Sequence, residues 1–166
     1  MRVERVDDRI RFPEGAPFDV EELLAQPLVA RVATRGPVVR PVWYLWEDSA
    51  FWVFVGPWSR LMRQLPDDPV FDLVVDVCEV HSGLVRQVRA HGTGTVEPFD
   101  VPRARRKLVR YLGRHEERWD PRFSLAGDPQ ARELRLARLA PDVMSAHDMT
   151  FRPSLPDGSP GEGDRA

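Results

Sequence analysis

The residues best suited to chemistry lie in segment 56–63, GPWSRLMR, where a glycine–proline turn leads into a short predicted helix. Ser59 is of a residue type that caps helices, and Arg60 follows it in the first turn. Free backbone N–H groups and the positive end of the helix dipole meet there and favour an anion. Arg60 and Arg63 can lie on one side of the helix and hold a phosphate through two-pronged hydrogen bonds. A capped surface helix with solvated arginines is the alternative that this segment leaves open.

A second polar set lies on a predicted strand at 84–97. One face of this strand carries five polar residues: Gln87, Arg89, His91, Thr93 and Thr95. The amide of Gln87 can both donate to and accept from a planar heterocycle that carries C=O and N–H groups. A solvent-facing edge strand is the other interpretation of the same pattern.

Aromatic residues are dense between positions 43 and 58, where seven occur: Trp43, Tyr44, Trp46, Phe51, Trp52, Phe54 and Trp58. Such rings can stack on a flat ligand, although aromatic residues at strand spacing are more often part of a core or an interface. The pattern identifies no general acid or base; Tyr44 and His91 are two candidates.

Several classes of site find no support in the sequence. The four histidines, at positions 81, 91, 115 and 147, lack the spacing of metal ligands, and Cys78 is the only cysteine. We therefore predict neither a metal site nor a disulfide. The sequence also lacks a G-x-S-x-G elbow, a P-loop and a G-x-G-x-x-G motif, so nothing favours a hydrolase or a nucleoside triphosphatase.

The elements that must position these residues follow from hydrophobic periodicity. It predicts helices at 19–25, 59–65 and 101–112, and strands at 28–34, 38–46, 51–55, 70–79, 84–97 and 142–151. Residues 133–139 fit neither period. Gly92 and Gly94 are expected to let the long strand bend, as barrel corners require. Antiparallel strands with helices at a few connections predict a mainly β fold, a small barrel.

The strands at 38–46 and 51–55 are apolar on both faces, which predicts burial on both sides. Side chains of one face fill a small barrel, so the other face must meet something else. A dimer interface is the simplest candidate.

Length and composition indicate one domain, which we divide into an N-terminal arm (1–17), a barrel (18–151) and a disordered tail (152–166). The net charge of −2 argues against a nucleic-acid or an acidic-membrane partner. The N-terminal segment is too charged for a signal peptide, and no apolar run is long enough to span a bilayer. We therefore expect a cytoplasmic protein.

Three segments, in this order, resemble the pyridoxamine 5'-phosphate oxidase-like family of FMN-binding split barrels. They are the strand 28–34 running into Arg40-Pro41-Val42-Trp43-Tyr44, then Ser59-Arg60 with Asp68-Pro69-Val70, then Arg86-Gln87-Val88 with Gly92. The likeness covers about residues 18–98, with weaker support at 139–148. It implies an antiparallel, Greek-key-like split β-barrel.

The resemblance also implies a site. In the family the start of the short helix binds the flavin phosphate, a role that falls here to Ser59 and Arg60. The strand at Arg40, Pro41, Val42, Trp43 and Tyr44 would follow the edge of the isoalloxazine ring, and Phe54 and Val55 would contact the cofactor. Gln87 would hydrogen-bond the ring. Because the family builds its site between two subunits, the resemblance implies a homodimer.

Two departures from the family pattern shape the expected function. Leu61 stands where the motif has lysine, a loss for which Arg63 is placed to compensate, and the C-terminal Arg-Leu-His segment that holds substrate phosphate is absent. The resemblance thus implies an FMN-dependent oxidoreductase acting on a small molecule other than vitamin B6 phosphate.

Two alternatives stay open. In the first, the cofactor is the deazaflavin F420, whose polyglutamyl tail would need a basic groove formed by Arg60, Arg63, Arg103, Arg105, Arg106 and Lys107; a solvated helix face also explains the cluster at 103–107. In the second, the barrel binds flavin or haem without catalysis.

Overall fold

The computed structural model describes residues 1–36, 38–127, 129 and 132–153. The eight strands of this part of the chain are β1 (Arg2–Glu4), β2 (Val29–Thr34), β3 (Val38–Trp43), β4 (Leu45–Glu47), β5 (Ala50–Val55), β6 (Val70–Glu79), β7 (Leu84–Pro98) and β8 (Arg135–Asp148). Its helices are α1 (Val20–Ala25), α2 (Arg60–Gln64) and α3 (Val101–Leu112), with short 3-10 turns at Glu116–Arg118 and Pro121–Phe123. The predicted mainly β fold with a few helices is confirmed.

All strands belong to one antiparallel sheet with the order β3-β2-β6-β7-β8-β5-β4, and β1 pairs with β8. Alternation of side chains gives this curled sheet an apolar inner face, on which Ala90 of β7 lies between Leu73 of β6 and Met144 of β8. All three residues are buried in the main core. The outer face of the same strands carries polar residues such as Arg89 and His91.

Gly92 allows β7 and β8 to approach closely. The register of this pair shifts between His91 and Gly92, where Gly92 faces Pro141. A Cβ atom at Gly92 would lie 2.2 Å from the carbonyl oxygen of Ala140, so only glycine fits. The bulge agrees with the bend expected at Gly92.

A second, smaller core lies on the outer side of β5. Trp52 on β5 is buried there with Leu45, Ala50 and Leu136, and Phe54 and Phe99 pack against this cluster. Helix α3 covers the cluster, because Arg103 lies over the Trp52 ring and Lys107 over the Phe54 ring. Helix α3 of the same chain thus lies over much of the outer apolar face of β5, for which a dimer interface was the simplest candidate. On β3, by contrast, the outward side chain of Val39 is 63% exposed.

Three segment predictions differ from the structure. The predicted strand 38–46 is two strands, which separate at Tyr44. Residues 135–139, within the segment 133–139 that fitted neither period, form the first part of β8, and the strand predicted at 142–151 ends at Asp148. Within the predicted arm 1–17, β1 joins the sheet beside β8, and the Arg5 guanidinium donates to the carbonyl oxygens of Pro141 and Ser49, each at 2.6 Å.

The predicted disordered tail lies outside the described residues from position 154 onward. None of the helices in the described ranges has the length and apolarity needed to cross a bilayer.

Candidate functional site

The turn that follows β5 brings Trp58 back over the chain and opens α2. A Cβ atom at Gly56 would lie 2.4 Å from the Trp58 ring, so glycine at this position lets the ring pack on the backbone. The amide of Ser59 donates to the carbonyl oxygen of Gly56 at 2.8 Å. Ser59 occupies the predicted N-cap position, but its hydroxyl makes no capping hydrogen bond. The hydroxyl is therefore free to meet a ligand.

Arg60 and Arg63 add uncompensated positive charge at this turn. Both side chains are exposed, and neither forms an ion pair or hydrogen bond with any residue that the structure describes. Leu61 between them is 1% exposed and belongs to the main core. Helix α2 thus directs an apolar side chain inward and presents two cationic side chains to solvent.

Arg40 connects β3 to α2. Its guanidinium donates to the Thr34 hydroxyl at 2.9 Å and to the side-chain oxygen of Gln64 at 2.6 Å. The Thr34 hydroxyl in turn donates to Gln64 at 3.1 Å. Burial, and after it the positive charge of Arg60, hold the pKa of Arg40 below its usual value. Arg40, predicted at the edge of the ring, thus lies near enough to Arg60 for their charges to interact.

The rest of the predicted β3 segment is arranged less favourably for a ligand. Pro41 is exposed, Val42 packs against the main core, and Trp43 is stacked on Tyr111 with 4.6 Å between ring centroids. Tyr44 is fully buried and its hydroxyl has no hydrogen-bond partner among the described residues. Burial raises the pKa of Tyr44. Its side chain therefore lies away from any surface ligand.

Gln87 lies on the outer face of the barrel, opposite Asp76 of β6 and His147 of β8. Its side-chain oxygen accepts a hydrogen bond from the Arg89 guanidinium at 2.6 Å. His91, two positions beyond Arg89 on the same face, is exposed, with its Nδ1 atom 2.9 Å from Asp72. Within the described part of a single chain, no hydrogen bond joins Gln87 to α2 or to the turn before it.

The basic cluster at 103–107 does not form an open groove. The Glu47 carboxylate accepts hydrogen bonds from Arg103 at 2.6 Å and from Arg106 at 2.8 Å. Arg105 is paired with Glu116 at 2.7 Å. Lys107, the fourth member, is only 4% exposed. Its three arginines are thus already neutralised by carboxylates of the same chain.

Of the two β5 residues predicted to contact the cofactor, only Phe54 lies at a small cleft. Val55 is fully buried, whereas Phe54 lines the cleft together with Trp43, Trp58, Phe99, Lys107 and Phe123. We call this space the Lys107 cleft; its volume is about 250 Å³. The Lys107 amino group lies 3.9 Å from the centre of the Phe54 ring.

The sequence predicts Lys107 as part of a basic cluster, whereas in the structure this residue is buried. Helical spacing contained the signal, because Ala104, Lys107, Leu108 and Tyr111 lie at i, i+3, i+4 and i+7 and share one face of α3. Three of these four residues are apolar or aromatic, which indicates that this face is buried.

Comparisons with known proteins assign the chain to a family. Residues 18–147 match the family model described as pyridoxamine 5'-phosphate oxidase. No curated protein matches the chain significantly in sequence.

Solved structures share the fold. The conserved hypothetical protein Rv2991 from Mycobacterium tuberculosis is 16% identical with a TM-score of 0.67, over 94% of this chain and 98% of that one. The flavocytochrome Anf3 from Azotobacter vinelandii is 17% identical with a TM-score of 0.60, over 89% of this chain and 72% of that one. A protein described as an F420 reductase is 20% identical with a TM-score of 0.53, over 81% of this chain and 98% of that one. At these identities the likeness shows the split-barrel fold alone. With the family match over residues 18–147, the chain belongs to the pyridoxamine 5'-phosphate oxidase-like family of split barrels.

Proposed function

We propose that this chain binds a flavin cofactor, FMN, as a homodimer and works as an oxidoreductase on a small molecule. The observation that carries the proposal is the free cationic turn at α2, where Ser59, Arg60 and Arg63 have no partner among the described residues. A flavin supplies hydride transfer when it is bound, and the protein must hold its phosphate and orient its ring.

The side chains at the turn fit a phosphate. A hydroxyl and two guanidinium groups are donors without acceptors there, and phosphate offers several strong acceptor oxygens. Arg40 lies near Arg60 and adds a third positive charge, while Gln64 and Thr34 fix its orientation. Leu61 is in the core and takes no part. Ser59, Arg60 and Arg63 would therefore hold the phosphate, with Arg40 behind them.

A second protomer would complete the ring site. Gln87 lies on the outer face and makes no hydrogen bond to the α2 turn of its own chain in the described residues. In a homodimer, Gln87 of the partner subunit would be the one to meet a ring held at that turn. The outer face of β3 is open, since Val39 is 63% exposed. An apolar, uncovered strand beside the candidate site is the kind of surface that a homodimer buries.

A titration with FMN, followed by flavin fluorescence, tests the proposal. We expect wild-type protein to quench the fluorescence and to elute as a dimer on size-exclusion chromatography with light scattering. Arg60→Ala should weaken FMN binding by about 10- to 100-fold, since it removes a charge-assisted hydrogen bond. Arg9→Ala is the matched control, because Arg9 is exposed and lies beside the Asp48–Ser49 turn at the opposite end of β5. A flat titration, or equal losses in both variants, would overturn the proposal.

The deazaflavin F420 is the second candidate, supported by the F420 reductase with the same fold. Because carboxylates neutralise Arg103, Arg105 and Arg106, the polyglutamyl tail would have to meet Arg60 and Arg63 instead. Competition between FMN and F420 decides which cofactor binds more tightly. A protein that holds a cofactor but reduces no acceptor across a substrate panel would instead be a binding protein.

A further inference from the structure

Lys107, the only lysine of the chain, is an isolated polar group in an aromatic cleft. Its side chain is 4% exposed, and its amino group makes no hydrogen bond or ion pair with any described residue. A buried amine without an acceptor is costly and is rarely kept without a reason. The amino group lies against Phe54 and lines the cleft, so a ligand in the cleft would be within its reach.

The walls of the Lys107 cleft are aromatic and its charged groups are all cationic. Five rings line it: Trp43, Phe54, Trp58, Phe99 and Phe123. Arg122 and Arg132 line it as well, and no acidic side chain does so among the described residues. Arg122 is paired with Asp120 and Arg132 donates to the carbonyl oxygen of Ser124, so of these three cations only Lys107 has no acceptor among the described residues. The volume of about 250 Å³ lies just below the roughly 300 Å³ at which pockets for drug-sized ligands begin, and so suits one or two rings.

From this geometry we propose that the Lys107 cleft binds a planar aromatic carboxylate, whose ring lies between the aromatic walls and whose carboxylate accepts a hydrogen bond from Lys107. Rings stack well on aromatic side chains, and a carboxylate supplies the acceptor that the amine lacks. The cleft reaches Trp58, which directly precedes the α2 turn. A ligand in the cleft would therefore lie next to the proposed flavin. The role of this ligand as the substrate rests on the proposed function, whereas its binding to the cleft does not.

The state of the amino group agrees with this assignment. Burial lowers the pKa of Lys107 to about 7, and of the charged groups around the cleft only the cations Arg122 and Arg132 line it. A carboxylate bound beside the amine favours the ammonium form and raises the pKa again. When a carboxylate binds above neutral pH, Lys107 must then take up a proton.

The single lysine makes the test direct. Protein labelled with 13C only at lysine Cε gives one signal, whose shift against pH reports the Lys107 pKa without assignment. We expect saturating 2-naphthoate to move the titration midpoint upward by one pH unit or more, and the neutral 2-naphthamide to leave it in place. Lys107→Met should weaken 2-naphthoate binding at least tenfold with little effect on 2-naphthamide. Arg114→Met, an exposed change just beyond the same helix, should bind both as the wild type does.

An unmoved midpoint, or equal 2-naphthoate binding by Lys107→Met, would overturn the inference and leave the FMN titration untouched. Protein saturated with FMN should still bind 2-naphthoate. Displacement of one by the other would also overturn the inference, because the flavin ring would then occupy the cleft. Failure of FMN to bind, with the lysine signal still responding, would instead count against the proposed function alone.

Discussion

The guanidinium of Arg40 on β3 donates to the side-chain oxygen of Gln64, at the end of α2, over 2.6 Å. The same oxygen accepts from the Thr34 hydroxyl, so Gln64 serves two donors from two strands. This contact fixes a five-residue helix that is too short to be stable by itself. The proposed phosphate site therefore depends on a residue that need not touch the ligand.

We expect Gln64→Ala to lower the free energy of unfolding by about 1–3 kcal/mol, because it leaves two partly buried donors without their acceptor. FMN affinity should fall severalfold through the loosened α2. Chemical unfolding and the FMN titration measure the two effects. Gln26→Ala, an exposed change after α1, is the control, and equal stability of the two variants would contradict the prediction.

Removal of the hydroxyl group should affect stability differently at Tyr111 and at Tyr44. The Tyr111 hydroxyl donates a hydrogen bond to the carbonyl oxygen of Leu28 at 2.7 Å and accepts one from the backbone amide of Tyr44 at 3.0 Å. Tyr111→Phe should cost about 1–3 kcal/mol of stability, whereas Tyr44→Phe removes a buried hydroxyl without a partner and should cost nothing or stabilise the fold. Thermal unfolding of both variants provides the comparison. A larger loss for Tyr44→Phe would show that its hydroxyl is satisfied.

The low pKa of Lys107 makes stability depend on pH. Between about pH 7 and the ordinary lysine pKa near 10.4, the unfolded chain binds the proton that the folded chain has released. Stability must therefore rise with pH across this window, by roughly 3–5 kcal/mol for a shift of this size. We expect wild-type protein to gain this stability relative to Lys107→Met, which has no amine to titrate. Urea unfolding of both proteins at pH 7, 8 and 9 measures the difference, and a difference independent of pH would refute it.

Glu47 should also make stability rise with pH, but in the acidic range. Burial tends to raise the pKa of Glu47, but hydrogen bonds from Arg106 and Arg103 outweigh it and hold that pKa below its ordinary value. The stabilisation is thus complete above the unfolded carboxyl pKa and is lost as the pH falls through the folded one. Glu47→Gln should cost on the order of 1 kcal/mol at pH 7 and progressively less below about pH 4, relative to wild type. Glu14→Gln, at an exposed position whose side chain forms no hydrogen bond or ion pair with the described residues, should show no such trend.

The sequence predicted well those helices and strands whose limits are set by residues within the element itself. Strands β6 and β7 alternate over most of their length, and α3 has both a capping Asp100 and a terminating Gly113, so their limits were predictable within a residue or two. The break at Tyr44 was not predictable, because the Tyr111 hydroxyl that binds its backbone lies on another element. Strand β1 is short and charged, and its pairing with β8 depends on residues at the other end of the chain.

The residues of the candidate site also differ in how well they could be predicted from local sequence. The turn at Ser59 and Arg60 was found from residue types and spacing alone, because helix starts have local signatures. The roles of Trp43 and Tyr44 were harder to foresee, since stacking on Tyr111 and burial in the barrel arise from tertiary packing. Whether the predicted site residues contact a cofactor stays a prediction.

Strand β8, at Arg135–Asp148, pairs with β1, β5 and β7. During synthesis, β5 and β7 each have an unpaired edge until this last strand leaves the ribosome, and β1 has no partner at all. Unpaired edges of apolar strands promote aggregation, and contacts this distant in sequence slow folding. The sheet is therefore completed only after translation of most of the chain, and chains truncated before β8 should accumulate as insoluble protein.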